Sequence, residues 1–164
     1  MSGIINSAGS RSGVLGAGVV RGTTELDYET GTFDPVVTSD GGSGSMTMTA
    51  WSVDTCSYSR IGNLVTCSGK FGTTSVASCS GNVKVVGFPY NNSAGEGHEA
   101  SFVSGYAEGL NITSGTTVGG FMPHSQSYVW LMNWDIDTGI TQLNVTEWTD
   151  DGLISFTLSY ITED

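Results

Sequence analysis

The sequence predicts an all-β protein, an antiparallel jelly-roll-like β-sandwich of about eight or nine strands, and three observations carry that prediction. Apolar and polar residues alternate in short runs, and no stretch repeats them at helical spacing. Glycine supplies 24 of 164 residues, about twice its usual share of roughly 7 %. Clusters of Gly, Asn, Asp and Ser punctuate the runs at short intervals, as a sandwich or barrel requires. Ser and Thr are abundant while Ala, Leu, Lys and Glu are scarce, a mix that starves helices and suits pleated strands.

The first element is an extended, Gly-rich N-terminal arm, residues 1–24. Gly3, Gly9, Gly13, Gly16, Gly18 and Gly22 forbid a stable helix, yet Ile4, Ile5, Val14, Leu15, Val19 and Val20 are too apolar for a free linker. With Arg11 and Arg21 these are the candidate partner-binding residues. The arm is expected either to pack on its own domain or to lie across another subunit or another protein.

Residues 25–164 form the sandwich domain. Strands are expected near 31–38, 45–53, 54–61, 64–71, 82–88, 100–106, 127–134, 141–148 and 153–161. Turns are expected at Ser39-Asp40-Gly41-Gly42, Gly62-Asn63, Ser80-Gly81-Asn82, the Asn91-to-Gly97 loop, Ser114-Gly115, Asp137-Thr138-Gly139 and Asp150-Asp151-Gly152. The central hairpin is the firmest element. If Ile61 lies opposite Leu64 across Gly62-Asn63, Arg60 meets Val65, Tyr58 meets Cys67, Cys56 meets Gly69 and Asp54 meets Phe71. Tyr58, Val65, Cys67 and Phe71 then share a buried face, and Ser57, Ser59, Thr66 and Ser68 a solvated one. Tyr128, Trp130, Met132 and Trp134 alternate onto one face of another strand, expected to be core or the floor of a subunit interface, with Trp51 and Trp148 read the same way.

Gly31-Thr32-Phe33-Asp34-Pro35, then Tyr58-Ser59-Arg60-Ile61-Gly62-Asn63-Leu64-Val65 and Gly69, and the closing strand Ile154-Ser155-Phe156-Thr157-Leu158-Ser159-Tyr160-Ile161 form a pattern of their own. It resembles that of bacteriophage virion structural proteins, which carry Gly-Thr-aromatic-x-Pro, then Gly-x-Tyr-x-x-Ile-Gly-x-x-Val-x-x-x-Gly, and end on a Phe/Ser-rich strand. The resemblance implies a trimeric jelly-roll module of tail-fibre, head-fibre or capsid-decoration type.

Charge narrows the partners. The formal net charge of −11 argues against nucleic acid, whose phosphates need clustered Lys and Arg, and against an anionic membrane surface. No apolar run reaches the roughly 18 residues of a membrane span. Lys and Arg end at Lys84, so a slightly basic tip precedes a strongly acidic body. Cys56, Cys67 and Cys79 have no metal-ligand spacing and are expected to be buried, reduced thiols, as suits assembly in a bacterial cytoplasm.

Catalytic and metal signals are weak. Asp135, Asp137 and Gly139 resemble the opening of a calcium loop, but its twelfth position is Thr146, and a hairpin turn explains them better. Glu96, His98, Glu99 and His124 lack zinc spacing, and no nucleophile elbow or phosphate-binding glycine loop occurs. No cofactor is expected. The expectation is a non-enzymatic virion protein on the particle surface, a capsid decoration (cement) protein held by its arm. Its expected partners are its own homotrimer copies and the major capsid protein or another virion protein. The alternatives are a tail- or fibre-associated structural protein and a carbohydrate-binding module contacting host polysaccharide.

Overall fold

The hairpin around Gly62-Asn63 forms in the register its alternation dictates. The computed structural model describes residues 28–52, 56–137 and 139–163. In it β3 (Cys56–Ile61) and β4 (Leu64–Val86) pair with Ile61 opposite Leu64, Arg60 opposite Val65 and Tyr58 opposite Cys67. Gly62 takes a positive φ of 57°, which closes the two-residue turn. Val65, Cys67 and Phe71 are wholly buried, and Ser57 and Ser68 are exposed. Asp54 lies outside the described residues.

The remaining strands are β1 (Tyr28–Phe33), β2 (Val36–Met48), β5 (Ala100–Leu110), β6 (Thr117–Met122), β7 (Val129–Asp135), β8 (Gly139–Gln142) and β9 (Trp148–Ile161). They run in the order β1-β3-β4-β9-β5-β6-β7-β8, with β2 alongside β4. All pairings are antiparallel. β4 is 23 residues long and has two jobs. Its first half pairs with β3 and β9, and its far end pairs Lys84 and Val85 with Trp130 and Val129 of β7. That second pairing closes β4, β9, β5, β6 and β7 into a five-stranded barrel. The described strands thus belong to one sheet that curls and closes.

Several expected elements shift for identifiable reasons. The run 31–38 divides at Asp34-Pro35, because proline has no N–H for a ladder. The runs 64–71 and 82–88 are the two ends of β4. The expected turns Ser39-Asp40-Gly41-Gly42 on β2 and Ser80-Gly81-Asn82 on β4 are facing bulges: Gly41 lies opposite Ser80 and Gly42 opposite Cys79, with positive φ at Gly42 and Gly81. Asp40 Oδ1 accepts from the Asn82 backbone N–H at 2.6 Å and ties the bulge. Asp150-Asp151-Gly152 also lies within a strand, β9. Gly152 is there because the Trp148 indole would sit 2.5 Å from a Cβ. The run 141–148 divides into β8 and a 3-10 turn, Val145–Glu147, capped by Asn144. β6 lies outside every expected strand.

The core is one cluster. Phe102 and Phe156 stack with centroids 4.9 Å apart, Phe71 packs 5.5 Å from Phe156, and Phe33 and Phe88 extend the group. Each such burial contributes about 1.5–3 kcal/mol. The motif glycines have steric causes: a Cβ on Gly31 would lie 2.7 Å from the Tyr58 ring, and one on Gly69 2.3 Å from Cys56 Sγ.

Candidate functional site

Of the predicted site, Ile4, Ile5, Arg11, Val14, Leu15, Val19, Val20 and Arg21 lie outside the described residues. What the described residues bring together is two outer faces and one polar clasp.

The first face is the outside of β1, β3, β4 and β9. Partners in antiparallel ladders point the same way, so outward side chains form rows across the strands. Tyr28, Ile61, Leu64 and Ile161 are successive partners and make one row. All four are large, apolar and 43–60 % exposed. The next row is Thr30, Ser59, Thr66 and Ser159, in which the last two hydroxyls are 3.1 Å apart. After it come Thr32, Ser57, Ser68 and Thr157, continued on β5 by the exposed Val103. Lys70 follows, its Nζ 5.9 Å from the Tyr106 ring. A shallow depression of about 470 Å³ beside this face is lined by His98, Glu99, Val103, Thr157 and Ile161.

The second face belongs to β7. Val129, Leu131 and Asn133 are buried, while Trp130 is half-buried and Trp134 exposed; Met132, between the two tryptophans, is buried. Of the two expectations for this stripe, core fails for Trp134 and holds for Met132; Trp148 is a core tryptophan, its Nε1 donating to Thr73 Oγ1 at 2.9 Å. Trp134 is 56 % exposed beside Ile140. Trp130 stands edge-on to Tyr128 at 5.5 Å, and Lys84 Nζ lies 5.3 Å and 5.7 Å from the two rings. The side chain of Trp51 lies outside the described set.

The clasp secures β1. Tyr58 Oη donates to Glu29 Oε1 at 2.6 Å, Tyr90 Oη donates to Oε2 at 2.5 Å, and the Arg60 guanidinium sits 4.8 Å over the Tyr90 ring. The Tyr58 bond, then the Tyr90 bond, holds the Glu29 carboxyl below its ordinary value, and the same bond raises the Tyr58 phenol.

Among the described residues no three His, Cys, Asp or Glu side chains converge as metal ligands, and Glu96, His98 and Glu99 are exposed. Asp135 Oδ1 accepts from the Asp137 N–H at 2.7 Å, the turn expected between β7 and β8. Cys56 and Cys67 are buried and form no disulfide, and burial pushes the Cys67 thiol up to about 12. Cys79 departs from expectation in being half-buried, on the bulge opposite Gly42.

Fold and surface together define an all-β module with broad, shallow faces. No family model and no curated protein matches this chain. Among solved structures it is similar to the crystal structure of the Dettilon tailspike protein, at 17 % identity and a TM-score of 0.68, over 85 % of this chain. The match spans 25 % of that protein's length. At that identity the likeness is one of fold.

Proposed function

We propose that this chain is a non-enzymatic structural protein of a bacteriophage virion, tail-associated, carried as a homotrimeric jelly-roll-type module on the particle surface. The observation that carries the reading is the tailspike-like fold over 85 % of the chain. It agrees with the motif resemblance, whose glycines and Tyr58 hold the hairpin and β1 together. Capsid decoration through residues 1–24, with the major capsid protein as partner, is the competing placement, and assembly takes place in the bacterial cytoplasm on either. Quantitative mass spectrometry of purified virions tests the proposal. A few copies in multiples of three are expected. Hundreds would move the protein to the capsid shell, and absence from the particle would refute the reading.

A carbohydrate-binding role is a second reading, favoured by the outward Trp130 and Trp134 on β7. Stacking of sugars on these rings would quench their fluorescence. An unchanged emission across a titration with host surface polysaccharide removes this reading.

A further inference from the structure

We propose that the outer face of β1, β3, β4 and β9 is the surface through which this chain meets a second copy of itself, with Tyr28, Ile61, Leu64 and Ile161 at its centre. The inference rests on the reading of the chain as an assembling virion protein and names the contact that assembly uses. Single exposed apolar side chains are ordinary on any surface. Four in one unbroken cross-strand row, each 43–60 % exposed, are a patch that a partner covers.

Charge identifies the partner as another copy. A chain of net charge −11 repels its own kind wherever carboxylates would face carboxylates. Across the apolar row and both hydroxyl rows, these four strands carry no carboxylate at all. Glu29 points to the opposite side of β1, held by Tyr58 and Tyr90. Glu163 accepts from Ser93 Oγ at 2.6 Å, and Glu99 stays at the rim beyond Ile161. A basic protein partner would be met by acids, and a nucleic acid by cations; these rows supply neither. The β7 face does not share this neutrality, because Asp135 and Asp137 adjoin Trp134.

The hydroxyl rows complete the match. A hydroxyl both donates and accepts, so rows of Ser and Thr pair with identical rows in more than one orientation. Carboxylates and carbonyls, which only accept, cannot do this. The face is therefore complementary to itself: an apolar seam flanked by groups that satisfy their own copies.

Sedimentation velocity of the full chain across micromolar concentrations tests the proposal, with circular dichroism checking the fold of each variant. The wild-type chain is expected to sediment as an oligomer. Leu64→Glu and Ile161→Glu are each expected to shift it to monomer mass, and Trp134→Glu to leave the mass unchanged. If the glutamate variants fail to fold, Ser159→Cys in a Cys79→Ser background gives the same answer. Its maleimide labelling should be slow when concentrated and rise on dilution. Oligomers that survive both glutamate variants, or labelling independent of concentration, would overturn this face while leaving assembly intact. A wild-type chain that stays monomeric throughout would overturn the assembly reading and this inference together.

Discussion

Cys67 shows how tightly single positions are specified. It is wholly buried, beside Tyr160 and across from Tyr58, and its thiol rises to about 12 because burial penalises the thiolate. A carboxylate there would meet the same penalty with no cation to offset it. Cys67→Asp should therefore yield no cooperative unfolding transition in calorimetry at neutral pH, whereas Cys67→Ala should fold with a modest loss. Rapid maleimide labelling of native Cys67, measured in Cys79→Ser, would contradict the burial. Gly69 is constrained by its partner strand: a Cβ there meets Cys56 Sγ at 2.3 Å and Cys56 Cα at 2.8 Å. Part of that clash is backbone and cannot swing away, so Gly69→Ala should cost about 1–3 kcal/mol in denaturant titration. Both residues were readable from alternation alone, since the hairpin register places them on the inner face.

At the scale of elements, the clasp on β1 predicts a pH window. The Glu29 carboxyl is held below its usual value by the Tyr58 and Tyr90 phenols. Its contribution is then present above the unfolded value of about 4.5 and is lost as pH falls through the lower folded value. The Tyr58 phenol is raised by Glu29, so its contribution is present below the unfolded value of about 10 and is lost as pH rises further. Protection of the Gly31 and Thr32 amides, taken relative to intrinsic exchange at each pH, should be greatest between these limits, and Glu29→Gln should flatten the acid side. Unchanged profiles in that variant would show that the ladder alone holds β1. The turns were the weak part of the sequence reading, for a related reason. A positive-φ glycine serves a bulge as readily as a turn, and Gly42 and Gly81 serve bulges. β6 escaped notice because Gly119 and Gly120 interrupt it, and Gly120 is small for a cause no local pattern shows: Trp130 O would lie 2.5 Å from its Cβ.

For the whole molecule, the all-β class followed from composition and alternation, but barrel closure did not. It depends on Lys84 and Val85 finding Trp130 and Val129, a pairing of distant segments. The apolar row was half visible, as Ile61 and Leu64 flank the turn; Tyr28 and Ile161 joined it only through the folded sheet. The arm is where sequence reasoning makes its strongest demand. The described core runs from Phe33 to Tyr160 and includes the closed barrel, and the proposed division has this body fold without residues 1–24. Ordering residues 1–24 costs about 1–2 kcal/mol each in backbone entropy. Ile4, Ile5, Val14, Leu15, Val19 and Val20 can offset this only by burial, at about 1.5–3 kcal/mol apiece. Arg11 and Arg21 can add exposed pairs worth about 0–1 kcal/mol each. Deleting residues 2–24 should thus leave a folded oligomer that no longer binds the particle. Ile4→Ser with Ile5→Ser should weaken binding more than Arg11→Ala, and added salt should weaken it only slightly. Co-sedimentation with stripped particles measures all three. A truncated chain that still pellets, or one that fails to fold, would show that these residues are not an attachment arm.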